Sequence, residues 1–309
     1  MSSRKAYLQL FAVSLLWGGN YVVSAWLLHG FSPIMLAFVR IVFTTLFMLV
    51  PLLVIRNMRW PTRREWGLLA GAGLFGTLLN QVLYFTGLSH STAGNASLII
   101  ALAPLATIVL ARIFLKEGIG VWKAVGALTG FVGVVVIVLF SGHTGAQHNG
   151  ILGDAYLFGA MLVLSMSLMF IRWLSYTMDA VIITIYATTV GAIMMMPAAG
   201  VEIGVHQARL AHTVTMWALL IAASAFAQGL AGFWWNKGVA VVGASAAAMF
   251  MNIPPFIALI VAHLVLGDPI RIAQLVGGCA ILGGVLIANR RAPRKHVATA
   301  TLAVTEISA

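Results

Sequence analysis

The chain divides into ten apolar stretches separated by short polar gaps, and this division limits the available folds more than any other feature. A helix crossing a bilayer needs about 20 apolar residues. The stretches run at 7–28, 32–55, 66–87, 92–115, 119–140, 150–174, 178–200, 213–237, 242–264 and 270–288. Only 8% of the 309 residues are charged, against about 25% in an average soluble domain. Such a chain could not cover a water-facing surface, so the sequence predicts an all-α integral membrane protein with ten transmembrane helices. The gaps leave no room for a soluble domain. The first stretch has no small-residue cleavage site after it and is read as a retained span. The segment 291–309 begins basic and then loses all pattern, which predicts a disordered cytoplasmic tail.

A formal charge of +11 would suggest nucleic acid in a soluble protein. Here the cations set orientation instead. With the N-terminus placed inside, 15 of the 18 Lys and Arg residues fall on the inner side and only Arg209 and Arg271 fall outside; Arg40 lies within the second span. The positive-inside rule then predicts both termini in the cytoplasm. Trp66, Trp122, Trp173 and Trp217 sit at span ends as interfacial anchors. The single cysteine, Cys279, rules out an internal disulfide framework. Seven of the eight histidines lie at outward ends without helical ligand spacing, so no metal site and no cofactor are expected.

Displacing the sequence by 151 residues aligns Trp66 with Trp217, Phe75 with Phe226, Gly87 with Gly238, Pro104 with Pro255, Gly126 with Gly277 and Gly133 with Gly284, and the acids Glu117 and Asp268 also coincide. At a slightly different offset, Leu10–Val13 (LFAV) meets Leu157–Ala160 (LFGA). A repeat of five spans enters the membrane from the opposite side in its second copy. Residues 1–145 and 146–290 are therefore read as two inverted five-helix repeats, an architecture found in many secondary transporters.

Polar residues inside the spans fall on stripes at helical spacing. Trp17, Asn20, Tyr21 and Ser24 line one face of the first span, and Gly73, Thr77, Asn80, Gln81 and Tyr84 one face of the third. Ser224, Gln228, Gly232 and Trp235 line the eighth, Asn95 and Ser97 stand in the fourth, and Ser245 and Asn252 in the ninth. Amides in hydrocarbon require hydrogen-bond partners. Singly, such residues more often join helices than bind ligands; aligned in two related halves, they point to a solute cavity. Asn20, Asn80, Gln81 and Gln228 are expected to hold polar groups of the solute, while Trp17, Tyr84 and Trp235 stack on its apolar part. Pro104, Pro254 and Pro255 are expected to kink the fourth and ninth spans as matched hinges. Glycines in the fifth and tenth spans fit close helix packing.

The charges near the membrane are assigned structural roles. Arg40 either snorkels outward or pairs with a carbonyl or a substrate. Asp268, followed by a proline, is expected to cap the tenth helix, and Glu117 to cap the fifth or pair with Arg112 or Lys116. No convergent acid, base or nucleophile marks a membrane-embedded enzyme, and no mid-depth carboxylate favours a proton-driven multidrug exporter, the runner-up reading.

The stretches LLWGGNYVV (15–23), FVRIVF (38–43), ALAPLATIVLARIFLKE (101–117), GALTGFVGVVVIV (126–138) and AMFMNIPPFIALIVAHLVLGDPI (248–270) resemble the EamA family of the drug/metabolite transporter superfamily. The resemblance spans about residues 5 to 290 and implies ten helices in two inverted halves and export of amino acids, related metabolites or drugs across the bacterial inner membrane. It implies a central cavity formed by Trp17, Asn20, Asn80, Gln81, Tyr84, Asn95, Gln228, Trp235 and Asn252. Where the family commonly has a glutamate after its ninth helix, this chain has Asp268. The expected partners are a small-molecule substrate and membrane lipid, with no nucleic acid.

Overall fold

The structure, a computed structural model, describes residues 3–49, 60–115, 120–140, 150–242, 247 and 250–288. Glu117 and the tail 291–309 lie outside the described residues. Among the described residues there is no strand, and the helices follow the order of the apolar stretches. They are α1 (Ser3–Leu27), α2 (Pro33–Leu49), α3 (Arg63–His90), α4 (Ala93–Ile100 and Ala103–Leu115) and α5 (Val121–Phe140). There follow α6 (Gly150–Leu174), α7 (Ala180–Gly204), α8 (Val214–Ala223, Ser224–Leu230 and Ala231–Val242), α9 (Pro254–Leu266) and α10 (Ile272–Ala288). Six of them, α1 and α3 to α7, are long and apolar enough to cross a membrane unaided, and the others are shorter apolar helices. Large apolar side chains such as Leu128, Phe140 and Leu264 remain exposed along the outer faces, which is stable only against lipid. The chain is therefore a multi-span membrane protein.

Side chains from neighbouring segments fix the helix ends. Thr62 and Glu65 form a reciprocal capping box at the start of α3: Thr62 Oγ1 accepts the Glu65 N–H at 3.3 Å, and the Glu65 carboxylate accepts the Thr62 N–H at 2.7 Å. The other Glu65 oxygen accepts from Thr177 at 2.7 Å, tying the entry of α7 to that end. At the start of α2 the Met35 N–H donates to Glu202, near the end of α7, at 2.9 Å. A carboxylate there satisfies an orphan donor and faces the positive end of the helix dipole.

The two copies of the repeat are threaded through each other. Gly87 of α3 packs on Leu157 of α6, and its counterpart Gly238 of α8 packs on Leu10 of α1. Thus α1 lies against α8 and α9, while α6 lies against α3 and α4. Helices α5 and α10 pair directly and antiparallel: Gly126 meets Gly284, and Gly133 meets Gly277. Because 126 and 133 correspond to 277 and 284, each glycine meets the counterpart of the other, the pairing produced by a two-fold axis across the helices.

The irregular backbone obeys the same displacement. A π-helical segment interrupts α3 at Leu74–Leu79 and α8 at Ser224–Leu230. The break in α4 carries Leu102 N–H to Ile99 O (3.1 Å) and Leu105 N–H to Leu102 O (2.9 Å). Before α9 the same bonds run from Ile253 to Phe250 (3.2 Å) and from Phe256 to Ile253 (3.1 Å). Both differ from the expected kinks. Pro104 stands in the first turn of Ala103–Leu115, and Pro254 and Pro255 are the first residues of α9. A proline there costs no backbone hydrogen bond, since those donors are orphans anyway. The prolines restart helices; they do not bend continuous ones. Carbonyls near the breaks receive a further donor from the opposite half: Ser14 of α1 donates to Phe250 O at 2.9 Å, and Ser165 of α6 donates to Ala103 O at 3.1 Å.

Asp268 does not cap α10, which begins at Ile272; the adjacent Arg271 N–H is met by the Gln274 side chain at 3.0 Å. Asp268 belongs to the end of α9, where Gly267 takes a left-handed φ of 73° and the Asp268 carbonyl accepts from His263 at 2.9 Å. The proline that follows it lies in the non-helical segment before Ile272 and opens no helix. Partial burial pushes the Asp268 carboxyl above the usual range.

The α5–α10 contact yields a test. A methyl group added at Gly133 would lie 2.5 Å from the Gly277 carbonyl, whereas one at Gly283 meets nothing within 4 Å. Gly133→Ala is expected to cost about 1–3 kcal/mol as an overpacked contact, lowering the melting temperature of the detergent-purified protein. Gly283→Ala is expected to leave it unchanged.

Candidate functional site

A cavity of about 170 Å³ lies at the centre of the bundle. Helix α1 contributes Trp17, Asn20 and Tyr21, α2 contributes Arg40, and α3 contributes Asn80, Gln81, Tyr84 and Phe85. Ile100 at the α4 break, Leu164 of α6, and Ala227 and Gln228 of α8 complete the wall. The Ala227 carbonyl lies in the π segment of α8, and the Trp17 indole N–H donates to it at 3.0 Å. That bond fixes the Trp17 ring, which Trp235 packs against from behind at 5.3 Å between centroids. Tyr21 and Tyr84 meet edge to face at 6.2 Å, and Tyr84 meets Phe85 at 5.0 Å. Asn80 Nδ2 donates to the Ala160 carbonyl at 2.9 Å, which leaves its oxygen as an acceptor beside Gln81.

Arg40 is the strongest charge in this wall. It does not snorkel: it is 4% exposed. Its Nη1 donates to Ser24 at 2.6 Å and its Nη2 to Asn20 at 2.6 Å, and Cζ stands 5.8 Å from the Phe85 ring centroid. Its Nε is buried with no partner. A mid-span arginine in the sequence was the available signal; the spacing alone did not place it beside the polar stripes of α1 and α3.

Seven of the expected binding residues therefore converge: Trp17, Asn20, Tyr21, Asn80, Gln81, Tyr84 and Gln228. Trp235 supports Trp17 from outside the wall. Three others lie elsewhere. Thr77 packs on Gly191 of α7. A π turn holds one residue more than an α turn, so Gly73 and Thr77 rotate away from the line that Gln81 and Tyr84 continue. Asn252 occupies the turn before α9 and is not part of the wall.

Asn95 belongs to a buried polar cluster. Its Nδ2 donates to both oxygens of Asp154, at 3.1 and 3.2 Å, and its Oδ1 accepts from Gln274 Nε2 at 2.7 Å. Ser91 donates to the same carboxylate. Asp154 and Ser91 are 0% and 4% exposed, so the cluster links α3, α4, α6 and α10 through groups that must stay paired. A second, mostly apolar cavity of about 250 Å³ lies between α1 and α8 and shares Asn20 and Ala227 with the central one.

A ten-helix membrane bundle with a small polar and aromatic chamber at its core has the form of a solute transporter. The EamA-like transporter family model matches residues 4–139 and 151–290, and the chain belongs to that family. It is 25% identical over 312 residues to the uncharacterized transporter YyaM of Bacillus subtilis (strain 168), covering 94% of this chain and 95% of that protein. It is 29% identical over 239 residues to a probable terminal-alkyne amino-acid exporter of Streptantibioticus cattleyicolor, covering 76% and 77%. A solved crystal structure superposes with a TM-score of 0.62 at 18% identity, covering 94% of this chain and 100% of that one, a likeness of fold.

Replacing Asn95 by alanine removes partners from Asp154 and Gln274 together. Asn95→Ala is expected to destabilise the protein by about 1–3 kcal/mol, seen as a lower melting temperature. Asn252→Ala is expected to change stability by no more than about 0.5 kcal/mol.

Proposed function

We propose that the protein exports small organic solutes, amino acids foremost and aromatic ones among them, by alternating access. The observation that carries this reading is the central chamber of about 170 Å³, walled by amides and rings in place of a continuous apolar core. A cavity of ~150 Å³ accepts a benzene ring, so the chamber suits a solute of amino-acid size. In this reading Asn80, Gln81 and Gln228 meet polar groups of the solute, and Trp17, Tyr21 and Tyr84 pack on its apolar part. The paired breaks at residues 101–102 and 251–253 serve as joints, because two packings related by the repeat lie close in energy and can exchange. The relative described as a probable amino-acid exporter is consistent with this choice. In this reading the protein works in the bacterial inner membrane with both ends in the cytoplasm, an orientation that the positive-inside bias of the sequence supports.

Counterflow from proteoliposomes loaded with an amino-acid panel tests the proposal. Gln81→Ala and Tyr84→Ala are each expected to lose about tenfold in transport at limiting solute, equivalent to about 1.4 kcal/mol of binding, with expression intact. Undiminished transport by both variants overturns this assignment of the chamber.

A further inference from the structure

We infer that the chamber is an anion site: Arg40 binds a carboxylate of the transported solute and excludes organic cations. The inference rests on reading the chamber as a solute site and adds the chemical group that a solute must carry.

The charge balance around Arg40 is incomplete. A guanidinium stays protonated in any protein environment and offers five donors in a planar fork. At Arg40 the two observed acceptors are neutral, Ser24 Oγ and Asn20 Oδ1, and the Nε donor is buried without a partner. The sequence holds seven acidic residues. Among the described ones, Glu65 and Thr62 close the start of α3, Glu202 meets Met35 at the start of α2, and Asp154 is held by Asn95 and Ser91. Asp179 precedes α7 and Asp268 follows α9. None of these forms the counter-charge in the chamber wall, which the Phe85 ring meets only through its π face. A buried cation in a membrane span normally pairs or marks a substrate path.

The wall around it fits an organic carboxylate. Guanidinium and carboxylate match as a two-point fork, and the Arg40 Nη groups, held here by neutral acceptors only, stand in the chamber wall where a carboxylate can take the place of Asn20. The Asn80 oxygen and the Gln81 and Gln228 amides lie in the same wall and can meet an amino or hydroxyl group. Tyr21, Tyr84 and Phe85 offer ring faces to an apolar remainder. A cation placed in the same space would face Arg40 across a low-dielectric gap, where like charges repel strongly. The outcome is selection for zwitterions and monocarboxylates.

The test uses the full-length protein in detergent and in proteoliposomes, with three probes matched in size, phenylalanine, 3-phenylpropanoate and phenylalaninamide, and one bulkier cation, tetraphenylphosphonium. Thermal stabilisation reads binding, since a ligand of the native state raises its stability. The two carboxylates are expected to stabilise the wild type at concentrations about tenfold or more below those at which the amide and the phosphonium do so. Arg40→Gln is expected to lose this preference, and Arg40→Lys to keep it with affinity weakened about tenfold, because a point charge replaces the fork. Equal or stronger binding of the two cationic probes overturns the inference, as does carboxylate binding unaltered in Arg40→Gln. The wild-type comparison stands even if Arg40→Gln does not fold. Counterflow judges the parent reading separately: a protein that carries only the cationic probes remains a carrier without an anion site. One that binds carboxylates through Arg40 but carries none of the probes keeps the site and loses the transport assignment.

Discussion

Hydrocarbon supplies no hydrogen bonds, and the rest of the structure depends on that constraint. Every departure from a regular helix exposes backbone groups that the protein itself must satisfy. Among the described residues such departures include the π segments of α3 and α8 and the breaks in α4 and before α9. Side chains from other helices answer them. Ser14 and Ser165 cover carbonyls near the breaks, and the Trp17 indole takes up the Ala227 carbonyl. The last of these also orients a ring of the central chamber. The features that satisfy an irregular backbone and those that build the site are therefore partly the same atoms.

The threading of the two halves follows from the same economy. Each copy lends its first helix to the other, so α1 protects the α9 break and α6 protects the α4 break. Neither half could bury its own interruptions alone. The family places its two matches at 4–139 and 151–290, yet those segments do not pack as separate bodies. Movement of one against the other would slide helices within a shared interface, and the glycine-lined α5–α10 contact stays close to the axis relating them.

The chamber lies where the two copies of the repeat differ in polarity. Thr77 and Gln228 correspond under the 151-residue displacement. Thr77 packs against Gly191 of α7, a close contact with no polar demand. Gln228 instead lines open space in the same wall as Arg40. An arginine and a glutamine in one wall carry polar groups that cannot be closed over without leaving donors unpaired, so that side of the molecule holds a site.

The number and order of the spans, the position of the breaks and the inventory of polar residues were legible in the sequence. A bilayer imposes a length and an apolarity on each crossing segment, and prolines and amides stand out against such a background. The stripes of α1 and of the second half of α3 were also legible, since Asn20, Tyr21, Gln81 and Tyr84 keep helical spacing within undisturbed turns. The tertiary structure alone decided that Thr77 leaves the stripe, that Asn95 joins Asp154 and Gln274 in a buried cluster, and that Arg40 enters the chamber. Helical periodicity fixes which residues share a face only while the turn stays at 3.6 residues, and a π turn resets it without a sequence mark. Which faces then meet depends on how ten helices cross, and that geometry is set by glycines and serines on other helices.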